Sequence, residues 1–274
     1  MATPGSQTIL THAVTQPRRW SLHRIVIVGG LTVIAAGILV LYHTDYQKAL
    51  RAIHAVGGTT DADLAEEGPV AVRRAQLAGP NITDAEIERV APHLPHLPEL
   101  FTLDLSMAQV TDRSLEHLRG LDHLGDIILR YTKVSDEGLE FLHGWDKLWT
   151  LDLMHTRITD RGLETISKNH PILRTLDLDE TRVSDAGLIH LQSLSHLEWL
   201  ALAHTAVTDA GLEVMAKLPK LQMLSLTGTL VTDSGLKRLE ELKHLRTLAV
   251  EQTLVTNAGT ERLRTVLPNL RVLR

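Results

Sequence analysis

Residues 148–172 read LWTLDLMHTRITDRGLETISKNHPI and residues 173–196 read LRTLDLDETRVSDAGLIHLQSLSH. Laid on their first leucine, they share one frame: Leu148-x-x-Leu151-x-Leu153-x-x-Thr156-x-Ile158 and Leu173-x-x-Leu176-x-Leu178-x-x-Thr181-x-Val183. The frame also opens at Leu100, Leu124, Leu197, Leu221, Leu245 and Leu270, a period of 24 residues with 25 twice. A fixed period of this length means stacked units, none of which can bury its apolar face alone. Leu151-x-Leu153 has the two-residue period of a strand, whereas Leu188, Leu191 and Leu194 recur at helical spacing. Each unit therefore reads as one strand and one helix. The 49 leucines, against nine aromatic residues, supply the core between the two layers.

After the strand comes a run such as Val207-Thr208-Asp209-Ala210-Gly211-Leu212. The pattern LxxLxLxxT followed by VTDAGLxxLxxL resembles leucine-rich repeats of the cysteine-containing subfamily known from F-box adaptors, and more closely its bacterial relatives with threonine in place of cysteine. The resemblance covers residues 100–274, seven full units and a terminal strand. It implies an α/β fold, a right-handed solenoid with a parallel sheet on its concave face and helices on its convex face. It also implies a protein-binding scaffold without chemistry of its own. Ubiquitin ligation is not implied, because a membrane span and a short linker stand where the adaptor's partner-binding helices would precede the repeats. A weaker unit, with Ala75, Leu77 and Ile82-Thr83-Asp84, reads as an N-terminal cap over residues 67–99. Ala52-Ile53-His54-Ala55-Val56-Gly57-Gly58, within a linker over 43–66, looks like the lead-in such bacterial proteins carry.

Three columns recur at fixed offsets. Thr132, Thr156, Thr181, Thr205, Thr229 and Thr253 stand where a hydroxyl can satisfy backbone groups of the turn leaving the strand. Asp112, Asp136, Asp160, Asp185, Asp209 and Asp233, with Asn257 after them, each follow a Ser or Thr. The hydroxyl is expected to cap the helix and the carboxylate to face the positive end of its dipole, which explains the column better than bound calcium does. Gly138, Gly162, Gly187, Gly211, Gly235 and Gly259 come next, where a side chain would crowd the adjacent coil.

A formal net charge of −5, with 22% charged residues and no basic run, excludes nucleic acid as the main partner. With no cysteine there is no disulfide, thiolate nucleophile or thiolate-bound metal. Most of the fifteen histidines are expected to be exposed and mutually remote; His123, His196 and His244 share one loop position. No metalloprotease, nucleophile-elbow, phosphate-loop or dinucleotide signature occurs, so neither an enzyme, a cofactor nor a metal site is expected.

From Ile25 to Tyr42 the chain runs eighteen residues without a charge, eleven of them Ile, Val or Leu, enough to cross a bilayer. Trp20, Tyr42 and Tyr46 flank the run at interfacial positions. Arg18, Arg19 and Arg24 precede it with no acidic residue among the first 44, whereas Lys48 and Arg51 follow in company with Asp45. The expectation is an uncleaved single-pass anchor over 25–42, a cytoplasmic tail over 1–24 and an extracytoplasmic repeat domain.

Residues flanking the inward leucines point out of the sheet. Asp104, Asp126, Asp152, Asp177 and Asp179 gather acid in the first four coils. Asp152 and Asp177 should lie one strand spacing apart, about 5 Å, where like charges repel. This column reads either as a solvated face or as a contact for a basic or mixed protein or peptide partner, or for envelope polysaccharide. The candidate patch is Trp199 with Asp152, Asp177 and Asp179, extended by Met154, Met223 and Tyr131. The competing reading is self-association into a homo-oligomer through the edge at Val272-Leu273-Arg274, opposed by Arg271 and Arg274.

Overall fold

A computed structural model describes residues 31–64 and 71–274. They fall into two units, residues 1–41 and 42–274. In the first, the described part is the opening of helix α1 (Leu31–Ala55), whose remainder belongs to the second. Among the described residues no helix is long and apolar enough to cross a membrane. The expected span over 25–42 begins at residues 25–30, which lie outside the described residues, as does the tail over 1–24. The described part of the span, residues 31–42, is shorter than the roughly twenty apolar residues a crossing needs, and α1 then takes on Asp45, Lys48 and Arg51.

The second unit is built on one ten-stranded sheet in strict chain order. Its strands are β1 (Thr59–Thr60), β2 (Arg74–Gln76), β3 (Thr102–Asp104), β4 (Asp126–Ile128) and β5 (Thr150–Asp152). They continue as β6 (Thr175–Asp177), β7 (Trp199–Ala201), β8 (Met223–Ser225), β9 (Thr247–Ala249) and β10 (Arg271–Leu273). Only β1 is antiparallel; the others pair in parallel at the repeat register, with Leu151 opposite Leu176 and Leu176 opposite Leu200. These middle residues and the leucines two positions on are fully buried. Each such side chain contributes about 1.5–3 kcal/mol of burial, so a coil is worth having only beside its neighbours.

The layer opposite the sheet is less regular than one helix per coil, opening with α2 (Asp84–Val90) and α3 (Asp112–His117), of seven and six residues. α5 (Asp160–Asn169) and α9 (Asn257–Val266) are ten residues long, but α4 (Asp136–Leu139), α6 (Asp185–Leu188) and α8 (Asp233–Leu236) are single turns that tighten into 3₁₀ helix. Between them, α7 (Leu212–Met215) is equally short. A 24-residue coil has too little chain for three α-helical turns after its strand and two bends, and the tighter helix closes the distance.

The Ser/Thr-Asp-x-Gly run acts across coils. The hydroxyls of Thr111, Thr159, Ser184, Thr208, Thr232 and Thr256 accept the N–H two or three residues on, in the manner expected of a cap, although α7 starts only at Leu212, and Ser135, ahead of α4, makes no such bond. The aspartate, expected to serve its own helix, reaches instead to the next coil. There its two oxygens accept the backbone N–H of the following cap residue at 2.7–2.9 Å and its O–H at 2.5–2.8 Å. The partners are Asp84 with Thr111, Asp112 with Ser135, Asp136 with Thr159 and Asp160 with Ser184, then Asp185 with Thr208, Asp209 with Thr232 and Asp233 with Thr256. The column is thus engaged in holding each coil to the next. The glycines leave room for it, since a Cβ on Gly138, Gly162, Gly211, Gly235 or Gly259 would collide with the preceding coil's carboxylate. Where serine replaces glycine, its hydroxyl joins the ladder, Ser114 Oγ donating to Asp84 at 2.5 Å.

The threonine column behaves as expected: Thr132, Thr156, Thr181, Thr205 and Thr229 each donate at 2.6 Å to the carbonyl three residues back, and Thr253 does so at 2.7 Å. Residues 71–100 form a coil like the others, with β2 and helix α2 (Asp84–Val90). Ahead of that coil, Ala49 and Ile53 of α1 are fully buried and β1 pairs along β2.

Candidate functional site

The sheet presents its outward residues in three rows. In the first, Trp199 pairs in register with Thr175 on one side and Met223 on the other. In the next, Asp152 pairs with Asp177, and Asp177 with Ala201. Met154 and Asp179 occupy equivalent places just past the strands. The seven expected site residues thus form two neighbouring groups, an acidic pair with Met154 and Asp179, and the couple Trp199–Met223. Tyr131 lies apart, at the strand exit. Met223 is 44% exposed and Trp199 half-buried, as a contact surface requires.

The acids are not the solvated face that their column suggests. Asp152 is only 4% and Asp177 5% exposed, because a short side chain between two strands is covered by its neighbours on both sides. Arg130, absent from the expected patch, donates from Nε at 2.7 Å to Asp152 and binds it through a second guanidinium nitrogen. Asp177 has only the N–H of Asp179 at 3.0 Å. Desolvation pushes its carboxyl up to about 6, with the charges of Asp179 and Asp152 acting the same way. Desolvation also raises Asp179, which accepts the N–H of Ala203 at 2.5 Å.

Immediately past the outward rows the backbone turns left-handed once per coil. Met107, Tyr131, His155, Glu180, His204 and Gln252 have φ between 51° and 58°, and Gly228 fills the same place at 69°. The conformation lifts these side chains onto one rim. Tyr131 stacks on His155 with ring centroids 4.9 Å apart, and His155 Nδ1 lies 2.9 Å from Glu180. Two residues further, Lys133, Arg157 and Arg182 line, with Tyr131, His155 and Glu180, a groove of about 390 Å³ that the buried Thr132 and Thr156 also border. Sequence reasoning found Tyr131 here but missed its companions. The signal available was a basic residue directly after the fixed-offset threonine in three successive coils.

A second aromatic row lies where the chain enters the strands. Phe101 meets the edge of Trp149 at 5.6 Å, across Gly125, and the Arg174 guanidinium sits 5.1 Å from the Trp149 ring. Trp149 is 43% exposed. The histidines are more varied than expected. His170 is 1% exposed, His123 and His196 are half-buried, and His244 is exposed. Among the described residues no three His, Asp or Glu side chains are grouped to hold a metal.

Comparison with known proteins agrees with this geometry. Family models described as leucine-rich repeat match residues 147–167 and 171–231. No curated protein matches the chain. Among solved structures, an internalin C2 from Listeria monocytogenes is similar with a TM-score of 0.55 and 23% identity, over 73% of this chain and 80% of that one. Register and neighbour together show an α/β solenoid fold with a parallel sheet, and the matches at residues 147–167 and 171–231 place leucine-rich repeats within it.

Proposed function

We propose that the chain is a membrane-anchored interaction module that takes a protein or peptide partner on its sheet face. Leucine-rich-repeat domains are in general protein-interaction modules, and stacked repeats present extended surfaces suited to it. The observation that carries the reading is the register pairing of half-buried Trp199 with exposed Met223, beside the row of Asp152 and Asp177. Aromatic and methionine side chains next to charge are typical anchors of an interface, and truncating such an anchor costs about 2 kcal/mol or more. The uncharged run over 25–42 supports the anchor. The arginines at 18, 19 and 24 support an extracytoplasmic repeat domain.

Crosslinking of the full chain in its native membranes, followed by recovery of bound proteins, tests this. Trp199→Ala should lower affinity for the recovered partner by roughly thirtyfold, since about 1.4 kcal/mol is a factor of ten. Equal recovery by parent and variant would remove the sheet face from consideration. A periplasm-dependent reporter fused after Arg274 reads the orientation, and an inactive reporter on a well-expressed fusion would reverse it.

A further inference from the structure

We infer that the groove between Tyr131–His155 and Lys133–Arg157–Arg182 is a second site, which takes an acidic segment of a partner polypeptide lying along the solenoid axis. The inference rests on the reading that the chain binds proteins, and adds a ligand chemistry and a place off the sheet face. The three cations hold one position in consecutive coils. Their backbone N–H groups are tied to the preceding coil through Val110, Val134 and Ile158 at 2.9–3.0 Å, so the backbone that carries the row is held in place. Neighbouring coils are about 5 Å apart, a distance at which like charges repel. Elsewhere on this protein, exposed arginines find a glutamate one coil away, as Arg113 does with Glu88, Arg161 with Glu137 and Arg174 with Glu198. Among the described residues Lys133, Arg157 and Arg182 form no ion pair, and the one acid in the groove, Glu180, is engaged by His155. An incoming row of carboxylates supplies what the fold omits.

The same row changes character after Arg182. It continues as Ala206, then Leu230 and Leu254, 61% and 62% exposed. The fitting ligand is therefore acidic at one end and apolar at the other, which fixes the end that meets the cations. Six coils span about 25 Å, the reach of about eight extended residues. The recess favours a narrow chain over a bilayer, whose flat surface cannot enter past Tyr131 and His155.

The test uses the full chain and a labelled octapeptide, Glu-Asp-Glu-Asp-Ala-Leu-Ala-Leu, with the alternating isomer Glu-Leu-Asp-Ala-Glu-Leu-Asp-Ala and anionic lipid vesicles as alternative probes. The parent should bind the octapeptide at low ionic strength. Changing Lys133, Arg157 and Arg182 together to alanine should weaken binding at least tenfold, a difference that shrinks at about 0.5 M salt. Leu230→Ser with Leu254→Ser should weaken it severalfold, and the alternating isomer, which has no wholly acidic end, should bind less well than the block peptide. Changing the three cations to glutamate should transfer preference to a peptide with lysines in place of the acids, which shows that the variant is folded. No binding by the parent, equal binding by the alanine variant, or binding to vesicles alone overturns the inference. Trp199→Ala should leave this binding unchanged; a loss there would place the peptide on the sheet face. The sheet-face reading is decided with the crosslinked native partner, so either can fail alone.

Discussion

Asp209 and Gly235, on successive coils, are shaped to each other: the aspartate oxygens fill the space that a Cβ at position 235 would need. The same carboxylate accepts the backbone N–H of Thr232 at 2.8 Å and its hydroxyl at 2.6 Å, at the start of the helix that contains Gly235. One residue type leaves room and the other uses it to hold the next coil in register.

Replacing glycine by alanine inside a helix ordinarily stabilises by about 0.5–1 kcal/mol. Here the collision with Asp209 should outweigh that gain, because overpacking costs about 1–3 kcal/mol. Gly235→Ala should therefore destabilise by about 1–2 kcal/mol in denaturant melts of the full chain. Asp209→Ala should lose about 1–3 kcal/mol by stranding the Thr232 donors. The double variant should lose clearly less than the sum, since the atoms Gly235→Ala strikes are then gone and only the mobile tip of Leu212 remains close. Strict additivity would mean that the two positions do not share that space.

The inward leucines, the threonine hydroxyls and the capping residues could be read from the sequence because each obeys a local period or a local hydrogen-bonding rule. What could not be read depends on the next coil. The reach of Asp209 to Thr232 crosses 23 residues, and the caps' own hydroxyls gave a sufficient local account of the motif. The burial of Asp152 and Asp177 comes from strands on either side, whereas the alternation rule gives direction only, not depth. The left-handed rim was hidden because Met, Tyr, His, Glu and Gln occupy it, with glycine only at 228, so the usual sign of positive φ was missing. The cations of the groove were visible as letters, but that they lack partners is a property of the folded surface.

His170 stands in a core column with Leu121, Trp145, Leu194 and Leu218 among its other members. Its ring donates to the Trp145 carbonyl, while Nδ1 is buried without a partner. Desolvation pulls its pKa down to about 4, against an ordinary value near 6.5. The neutral form is required in the fold, so this stability is complete above pH 6.5 and is lost as pH falls from 6.5 to 4, by about 3 kcal/mol in all. His170→Leu should leave the Trp145 carbonyl satisfied by the Leu148 N–H. It should stabilise by about 1 kcal/mol at pH 7 and by more at pH 5. Thermal melts across this range check it; parallel pH profiles for parent and variant would mean that His170 does not titrate between the two states.

Leu176 and Asp177 are sequence neighbours, both almost wholly buried, with opposite forecasts. Leu176→Ala removes a core side chain between the sheet and the helix layer and should cost about 2–5 kcal/mol at any pH, the range for such cavities. Asp177 is held protonated in the fold to about pH 6, while an unfolded aspartate ionises near 3.8. The folded state thus binds the extra proton between these values, and stability is lost as pH rises through them, about 3 kcal/mol in total. Asp177→Asn keeps an oxygen for the Asp179 N–H and carries no charge to desolvate. It should therefore be nearly neutral at pH 4 and stabilising by about 1–3 kcal/mol at pH 7, the reverse slope to that of His170→Leu. The comparison also separates stability from binding. If Asp177→Asn stabilises the chain at pH 7 yet weakens a recovered partner, the charge is kept for contact at the expense of the fold. Equal stability of parent and Asp177→Asn at both pH values would show that Asp177 is ionised and solvated, and that Arg130 screens it as well as it screens Asp152.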